Sequence, residues 1–260
     1  GCDFMCSFCI IPFARGRARS REWNNLLDEA MQLVERGAKE LVLTGVNVGT
    51  YEFGENRILD VVDSLNEIHG LARIRISSIE PTTIPVELLD RMNDTGHSLV
   101  PYIGFVERAY ESVPGICVGT DVLVGMPGET DSDFGDTISL LESAPLHYAH
   151  VFPYSERSGT PAARMADKID PQTKALRSAR IRQISAVKRR TYYERHLCSE
   201  AEVLFEHQEN GAWVGYTGNY VRVAVRSNEY LENELRVVRI EEIAGDYAMG
   251  SVFEKAEISS

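Results

Sequence analysis

The sequence predicts an α/β fold in which a parallel sheet wrapped by helices is followed by a small all-β barrel. Three patterns support this prediction. Apolar strand-like segments alternate with amphipathic helical segments over roughly the first 170 residues. A long, strongly basic segment then covers residues 172–196. From residue 200 onward, short alternating segments separated by turn-forming pairs take over, which is typical of a small β-barrel.

Four segments of the first part are predicted to be strands. Residues 40–46 (ELVLTGV) form an apolar run that ends near a glycine, as expected of a strand buried on both faces. Residues 73–79 (RIRISSI) alternate with a period of two, and residues 116–124 and 147–152 are rich in β-branched and aromatic side chains. Strands of this kind, separated by helices, favour a parallel sheet in either a barrel or a doubly wound fold.

Helical patterns separate these strands. They cover residues 24–36, 58–68, 85–92, 103–113 and 131–143. In the fourth segment the apolar side chains share one helix face. Thr130-Asp131-Ser132-Asp133 is a favourable N-terminal cap for the last helix.

Polar, glycine-containing loops follow the predicted strands. They read TGVN at residues 44–47, SSIEP at 77–81, GMPGE at 125–129 and PYS at 153–155. Active sites of barrels and doubly wound folds lie at the carboxyl ends of their strands. We therefore expect the functional site at this edge of the sheet.

The second part of the chain consists of a basic segment followed by an acidic one. Residues 172–196 carry eight basic side chains and one acidic side chain, whereas residues 197–260 carry twelve acidic and five basic ones. The strand-like segments AEVLFE, YVRVAV and LRVVRI follow the basic segment, with turns at Asn210-Gly211 and Thr217-Gly218-Asn219. The basic segment is predicted to be a helix that either binds nucleic acid or exposes a solvated face.

The ends and the composition of the chain give further expectations. The chain of 260 residues has a formal net charge of −12 and begins with Gly rather than Met, so we expect it to be part of a longer polypeptide. The sequence shows neither a bilayer-length apolar run nor a signal peptide. We therefore expect a cytoplasmic protein without a membrane partner.

Three of the five cysteines, Cys2, Cys6 and Cys9, form a CxxxCxxC loop. An odd number and tight spacing indicate metal ligation in a reducing compartment rather than disulfides. Three thiolates on one loop can ligate three irons of a [4Fe–4S] cluster and leave the fourth iron open. The alternative, structural zinc, usually needs four ligands in two pairs, and the chain has no second CxxC. Cys117 and Cys198 are predicted to be buried, small apolar residues.

The motifs, taken in order, resemble those of the radical SAM (S-adenosylmethionine) superfamily and within it the methylthiotransferase family. They read GCDFMCSFCIIPFARGRARSR, VLTGVNVGTY, RIRISSIEP, TDVLVGMPGETDSDF and HVFPYSERSGTPAARM. RISSIEP and GRARSR most resemble the branch that acts on threonylcarbamoyladenosine in tRNA. The resemblance implies a partial (β/α)6 TIM-type radical SAM barrel at residues 1–170, a basic connecting helix at 171–196, and a TRAM-like (OB-like), RNA-binding β-barrel at 197–260.

The resemblance also implies a function, with its cofactors and partners. A tRNA methylthiotransferase would install a methylthio group at C2 of N6-threonylcarbamoyladenosine 37, using a [4Fe–4S] cluster on the three cysteines and S-adenosyl-L-methionine. A second, auxiliary [4Fe–4S] cluster is expected only in an N-terminal domain outside these residues. The implied partners are tRNA and an electron donor such as flavodoxin or ferredoxin, and the protein would be a monomer.

The resemblance assigns site residues at the strand ends and in the basic segments. The residues implied to contact SAM are Phe8, Thr44, Gly45, Asn47, Ser78, Glu80, Asp121, Gly125, Phe152 and Pro153. Those implied to contact RNA are Arg15, Arg17, Arg19, Arg21, Lys188, Arg189 and Arg190. The alternative roles are a strand-end hydrogen bond for Ser78 and a loop cap for Asp121.

Two further alternatives for the whole chain stay open. One is a methylthiotransferase acting on another tRNA adenosine or on a ribosomal protein side chain. The other is an RNA-binding module whose metal site is purely structural. The chain also departs from the family pattern at residues 97–103, where the family has a further strand and a loop. An omitted segment is the favoured explanation, and a deletion is the alternative.

Overall fold

The computed structural model describes residues 1–77, 79–85, 87–88 and 102–252. The chain divides into two compact units. The first unit contains Gly1–Pro114 and Val118–Ile184, and the second contains Gly115–Cys117 and the chain from Ser185 onward. The boundary falls inside a single long helix. The predicted helix at 85–92 lies mostly outside the described residues, and residues 97–101 lie entirely outside them.

The first unit alternates strands and helices, as the sequence predicts. Its helices are α1 (Ile11–Arg15), α2 (Trp23–Glu35), α3 (Ile58–Asn66), α4 (Tyr102–Ser112), α5 (Asp131–Ser143) and the start of α6 (Pro171–Glu194). Its strands are β1 (Glu40–Leu43), β2 (Glu52–Phe53), β3 (Asn56–Arg57), β4 (Arg73–Ile76), β5 (Gly119–Val124) and β6 (Tyr148–Pro153). The sequence patterns did not indicate α1 or the β2–β3 hairpin.

Parallel pairing between the longer strands is confirmed. β1 pairs with β4 from Glu40–Arg73 to Leu43–Ile76, and β5 pairs with β6 from Gly119–Tyr148 to Val124–Pro153. Among the described residues these strands form two separate two-stranded sheets. Closure of these strands into a TIM-type barrel therefore stays a prediction.

Each parallel pair buries one face and leaves the other open. Alternate strand residues point to opposite faces, and one alternate set packs with neighbouring helices. The packed sets are Leu41, Leu43, Ile74 and Ile76 in the first pair, and Val122, Val124, Ala149 and Val151 in the second. The other alternate set is mixed: Val42 and Phe152 are apolar and exposed, and its polar members are Glu40, Arg73, Arg75, Asp121 and His150.

Side-chain caps explain where two of the helices begin. The Glu22 carboxylate accepts hydrogen bonds from the N–H groups of Asn24 and Asn25, at 3.0 and 2.6 Å, and so starts α2. The cap predicted before α5 is confirmed. The Asp133 N–H donates to Thr130 Oγ1 at 3.2 Å, and the Thr130 N–H donates to Asp133 Oδ2 at 2.8 Å. Such reciprocal bonds satisfy N–H groups that have no partner inside the helix.

The second unit contains the predicted small β-barrel. Its strands are β7 (Glu200–Glu209), β8 (Ala212–Thr217), β9 (Arg222–Val225), β10 (Leu235–Ala244) and β11 (Tyr247–Val252). They close in the order β10-β11-β9-β8-β7, with a parallel β9–β11 pair and antiparallel pairs elsewhere. The core includes Phe205, Val221, Leu231 and Ile240, all fully buried.

Helix α6 spans Pro171–Glu194, close to the predicted basic helix. It begins in the first unit and ends in the second. Within the described residues, no helix combines the length and the apolar character that crossing a membrane requires.

Candidate functional site

The cysteine loop is closed by backbone hydrogen bonds. The Cys2 N–H donates to the Gly16 carbonyl at 3.1 Å, and the Cys9 N–H donates to the Cys6 carbonyl at 3.1 Å. The Ala162 N–H donates to the Ser7 carbonyl at 2.9 Å, which ties the loop to the segment after β6. The bond between Cys2 and Gly16 therefore closes one loop, which contains the three cysteines and helix α1.

The three thiols lie within electrostatic reach of one another. Burial raises the pKa of the Cys6 thiol, and Cys9, Glu80 and Cys2 raise it further. Glu80, whose charge contributes to this shift, lies in the segment that follows β4. Over the described ranges, however, no three Cys, His, Asp or Glu side chains are already arranged to hold a metal ion.

Apolar side chains surround the cysteine loop. Met5 and Phe13 are 66% and 61% exposed, and Phe8 is 40% exposed. A pocket of about 200 Å³ lies beside them, lined by Cys2, Asp3, Met5, Pro12, Phe13 and Arg17. Exposed apolar groups around reactive thiols are suited to a bound group that must be shielded from water.

Asn47 organises the ends of β1 and β4. Its Oδ1 atom accepts hydrogen bonds from the N–H groups of Gly49 and Glu80, both at 3.2 Å, and from the Thr83 hydroxyl at 3.0 Å. Its Nδ2 atom is buried and has no hydrogen-bond partner within the described part of the chain. Thr44, in the same strand-end loop, is exposed. Because an unpaired buried donor is costly, Asn47 Nδ2 is a ready donor for a ligand oxygen.

The remaining residues implied to contact SAM occupy different surroundings. Gly45, Asp121, Phe152 and Pro153 are exposed, whereas Gly125 is buried and has a φ of 75°. The Gly125 N–H donates to Glu129 Oε2 at 2.7 Å. Ser78 lies outside the described residues. The structure thus joins Asn47 to the Glu80 backbone, and Asp121 and Phe152 lie on the open face of the β5–β6 pair.

The basic residues implied to contact RNA fall in both units. Arg15, Arg17, Arg19 and Arg21 are all exposed in the first unit. In the second unit, Arg189 pairs with Asp246, and Arg190 pairs with Glu194 at 2.9 Å. Three other basic residues of the helix, Lys174, Arg177 and Arg180, contact groups of the first unit instead.

The sequence patterns indicated neither the partner of Arg177 nor the neighbour of Asp121. Arg177 is buried and bonds to Glu129, which lies 48 positions earlier in the chain. His150, also missed, lies opposite Asp121 in the register of β5 and β6. A glutamate that ends the GMPGE loop, and a polar residue inside the apolar segment 147–152, were the only local signals.

Comparison with known proteins shows which family and which proteins this chain is similar to. The Radical SAM superfamily profile matches residues 1–82. The threonylcarbamoyladenosine tRNA methylthiotransferase MtaB of Bacillus subtilis (strain 168) is 34% identical, across 92% of this chain and 60% of its own length.

Two tRNA-2-methylthio-N(6)-dimethylallyladenosine synthases are similar to a comparable degree. The protein of Acetivibrio thermocellus is 34% identical across 70% of this chain and 43% of its own length. That of Alkaliphilus oremlandii is 33% identical across 93% of this chain and 58% of its own length. The chain spans 60% or less of the length of these three relatives. Its residues 1–82 thus match the radical SAM superfamily, and most of its length is similar to the tRNA methylthiotransferases.

Proposed function

We propose that this chain is the radical-forming and RNA-binding part of a tRNA methylthiotransferase. The observation that carries the proposal is the cysteine loop, which a backbone hydrogen bond between Cys2 and Gly16 closes and in which the Cys6 thiol lies within electrostatic reach of the other two. The donor set fits a [4Fe–4S] cluster, because thiolates are the ligands such clusters take. Cys2, Cys6 and Cys9 would hold it, and they would have to converge as it binds, since no metal-holding arrangement is preformed among the described residues.

When bound, the cluster supplies the electron for reductive cleavage of SAM, which is the source of the radical that removes hydrogen from the substrate. The protein's share is binding, orientation and exclusion of water. Phe8, Met5 and Phe13 would cover the loop with apolar surface.

Asn47 would orient SAM from the end of β1. Its Oδ1 atom already accepts hydrogen bonds from two backbone N–H groups, which occupy its two lone pairs, so it has little capacity left for the SAM amino group. Its unpaired Nδ2 donor instead suits a carboxylate or hydroxyl oxygen. Thr44, Gly45, Ser78, Glu80, Asp121, Gly125, Phe152 and Pro153 complete the proposed SAM-contacting set.

We further propose C2 of N6-threonylcarbamoyladenosine 37 as the site of methylthiolation. The wording of the RISSIEP and GRARSR segments supports this branch, and so does the name of the Bacillus subtilis relative.

The partners and the remaining cofactor belong to the same proposal. The basic residues of α1–α2 and α6 would contact tRNA phosphates, and the β-barrel would serve as a TRAM-like RNA-binding module. An auxiliary [4Fe–4S] cluster in the complete protein would supply the sulfur. A flavodoxin or ferredoxin would supply electrons to a monomeric, cytoplasmic enzyme.

The test uses the complete protein, reconstituted with iron and sulfide, reduced, and incubated with SAM and two tRNAs. One tRNA carries threonylcarbamoyladenosine, and the other carries dimethylallyladenosine. Nucleosides are then separated after digestion. The proposal expects a methylthio product on the first tRNA only. A product confined to the second would refute the substrate assignment, and 5′-deoxyadenosine without either product would refute the transfer reaction.

A further inference from the structure

A buried arginine fastens helix α6 to the loop that follows β5. The Arg177 side chain is 7% exposed. Its Nη1 atom donates to Glu129 Oε1 at 2.7 Å and to the Glu129 carbonyl at 3.1 Å, and its Nη2 atom donates to Asp131 Oδ1 at 2.7 Å. The guanidinium also lies 5.2 Å from the centre of the Phe134 ring. A planar guanidinium reaches three acceptors at once, which the ammonium of lysine does not reproduce.

Glu129 also binds the loop backbone, so it connects Arg177 to that backbone. Its second oxygen, Oε2, accepts hydrogen bonds from the N–H groups of Gly125 and Met126, at 2.7 and 3.3 Å. Burial opposes the charge of Arg177, but Asp131 and Glu129 outweigh it and raise the pKa of the guanidinium. The chain of contacts therefore runs from a charged helix residue, through one carboxylate, to two amides at the carboxyl end of β5.

Lys174, one helical turn earlier, holds the neighbouring strand end. Its Nζ atom donates to the Tyr154 carbonyl at 3.3 Å, directly after β6. Its Cγ atom lies 2.2 Å from the place where a Cβ on Gly125 would stand. Since Gly125 also has a φ of 75°, this position requires glycine for two reasons. Two side chains of one helix thus contact the loop that carries Gly125 and the residue that follows Phe152 and Pro153 at the end of β6.

We propose that Arg177, acting through Glu129, is a positioning residue that holds the loop at residues 125–129 in the geometry required to bind the adenosyl part of SAM. The inference rests on the proposed function. Arg177 touches neither cofactor nor substrate in this scheme. Its role is to hold the Glu129 carboxylate, which binds the Gly125 and Met126 amides, so that SAM binding does not have to order this part of the loop.

The test compares Arg177→Met with Arg180→Met in the complete protein. Both residues lie on α6 and both substitutions remove one positive charge. Arg180, however, makes an exposed contact with Glu142 at 3.4 Å, with side chains 52% and 54% exposed. Glu129→Gln serves as a second variant that keeps the size of the carboxylate and removes its charge, should Arg177→Met fail to fold.

Two measurements are made on each variant. Amide hydrogen exchange at Gly125 and Met126, in protein without cofactors, reports whether the loop is held. The equilibrium Kd for SAM, in protein with a reconstituted cluster, reports whether the order of this loop affects SAM binding. For Arg177→Met and Glu129→Gln we expect exchange to accelerate at least about tenfold and the Kd to rise about tenfold. Arg180→Met is expected to leave both within about twofold, because exposed ion pairs contribute little.

Faster exchange with an unchanged Kd for SAM would overturn the inference, since the pair would then be structural only. Unchanged exchange would also overturn it. Failure of the unmodified protein to bind SAM would overturn the proposed function together with the inference, so the two failures are distinguishable.

Discussion

The five cysteines occupy three kinds of surroundings, and these decide their chemistry. Cys2, Cys6 and Cys9 share a loop, whereas Cys117 packs against the core of the β-barrel. Burial raises the pKa of the Cys117 thiol to about 12, although a hydrogen bond with Tyr192 lowers it in part. Cys198 is exposed, so the expectation that it is buried is wrong. It follows the end of α6 with a φ of 62°, in a turn that points its side chain outward from the packed core.

Removing the loop thiols should remove the cluster. Changing Cys2, Cys6 and Cys9 together to Ala leaves no strong iron ligand in the loop, so we expect reconstituted iron at that site to fall below about a tenth of the unmodified value. Iron content and visible absorbance measure this. Cys198→Ala is the matched control and should keep the cluster. Full retention of the cluster in the triple variant would contradict the ligand assignment.

Cys117 should resist alkylation in the folded protein. A folded-state pKa of about 12, against an ordinary value of 9.0, lowers the thiolate fraction roughly a thousandfold below pH 9. Mass mapping after brief iodoacetamide treatment should find Cys198 modified and Cys117 unmodified. Because folding raises this pKa, the protonated Cys117 thiol makes its full contribution to the free energy of unfolding below about pH 9. That contribution is lost as the pH rises towards 12. Equal labelling of both thiols in native protein would disprove the burial argument.

Helices and strands were predictable from local patterns, whereas the contacts that order the site were not. The helix predicted at 131–143 is observed at Asp131–Ser143, because its periodicity and its cap lie within a few residues of one another. Strand β1 ends at Leu43, before the predicted residue 46, because the backbone turns there toward the Asn47 hydrogen bonds. Those bonds join Asn47 to Thr83, 36 positions away, and no local pattern reports such a pairing.

Within the barrel, close strand contact makes one glycine irreplaceable. A Cβ on Gly215 in β8 would lie 2.2 Å from the Leu204 carbonyl oxygen and 2.7 Å from Phe205 Cα, both backbone atoms of β7. We expect Gly215→Ala to cost about 3 kcal/mol of unfolding free energy, because backbone cannot move aside as a side chain can. Urea unfolding monitored by Trp213 fluorescence, in a Trp23→Phe background, measures the decrease.

Gly218→Ala is the control for this prediction. Nothing lies within 4 Å of a Cβ at Gly218, and its φ is not in the left-handed region. The same substitution should there leave stability within about 0.5 kcal/mol, or raise it slightly by restricting the unfolded chain. Similar decreases at both positions would mean that β7 and β8 do not approach as closely as the structure shows.

Across the whole molecule, positive charge is concentrated where RNA binding is proposed, against a net charge of −12. Residues 172–196 hold eight of the basic side chains, but Lys174, Arg177 and Arg180 are engaged with the first unit. The contacts of Arg189 with Asp246 and of Arg190 with Glu194 are at the surface. Exposed ion pairs of this kind contribute little and exchange readily for phosphate contacts. The end of α6, rather than its beginning, is therefore the better candidate for tRNA contact.

Reversing charge at the end of α6 should weaken tRNA binding more than the same reversal on the barrel. The test variant is Lys188→Glu, Arg189→Glu and Arg190→Glu combined, and we expect affinity to fall at least about tenfold and the salt dependence to become shallower. The control combines Arg226→Glu, Arg236→Glu and Arg239→Glu, which changes the net charge equally on a barrel segment that is already acidic, with twelve acidic and five basic residues at 197–260.

If net charge alone governed binding, both variants would weaken binding equally. A larger decrease in the control would place the RNA contact on the barrel, and no decrease in either would remove both surfaces from the RNA-binding site. Titration of labelled tRNA at several salt concentrations distinguishes these outcomes, because the slope of log affinity against log salt becomes shallower with every phosphate that the protein no longer neutralises.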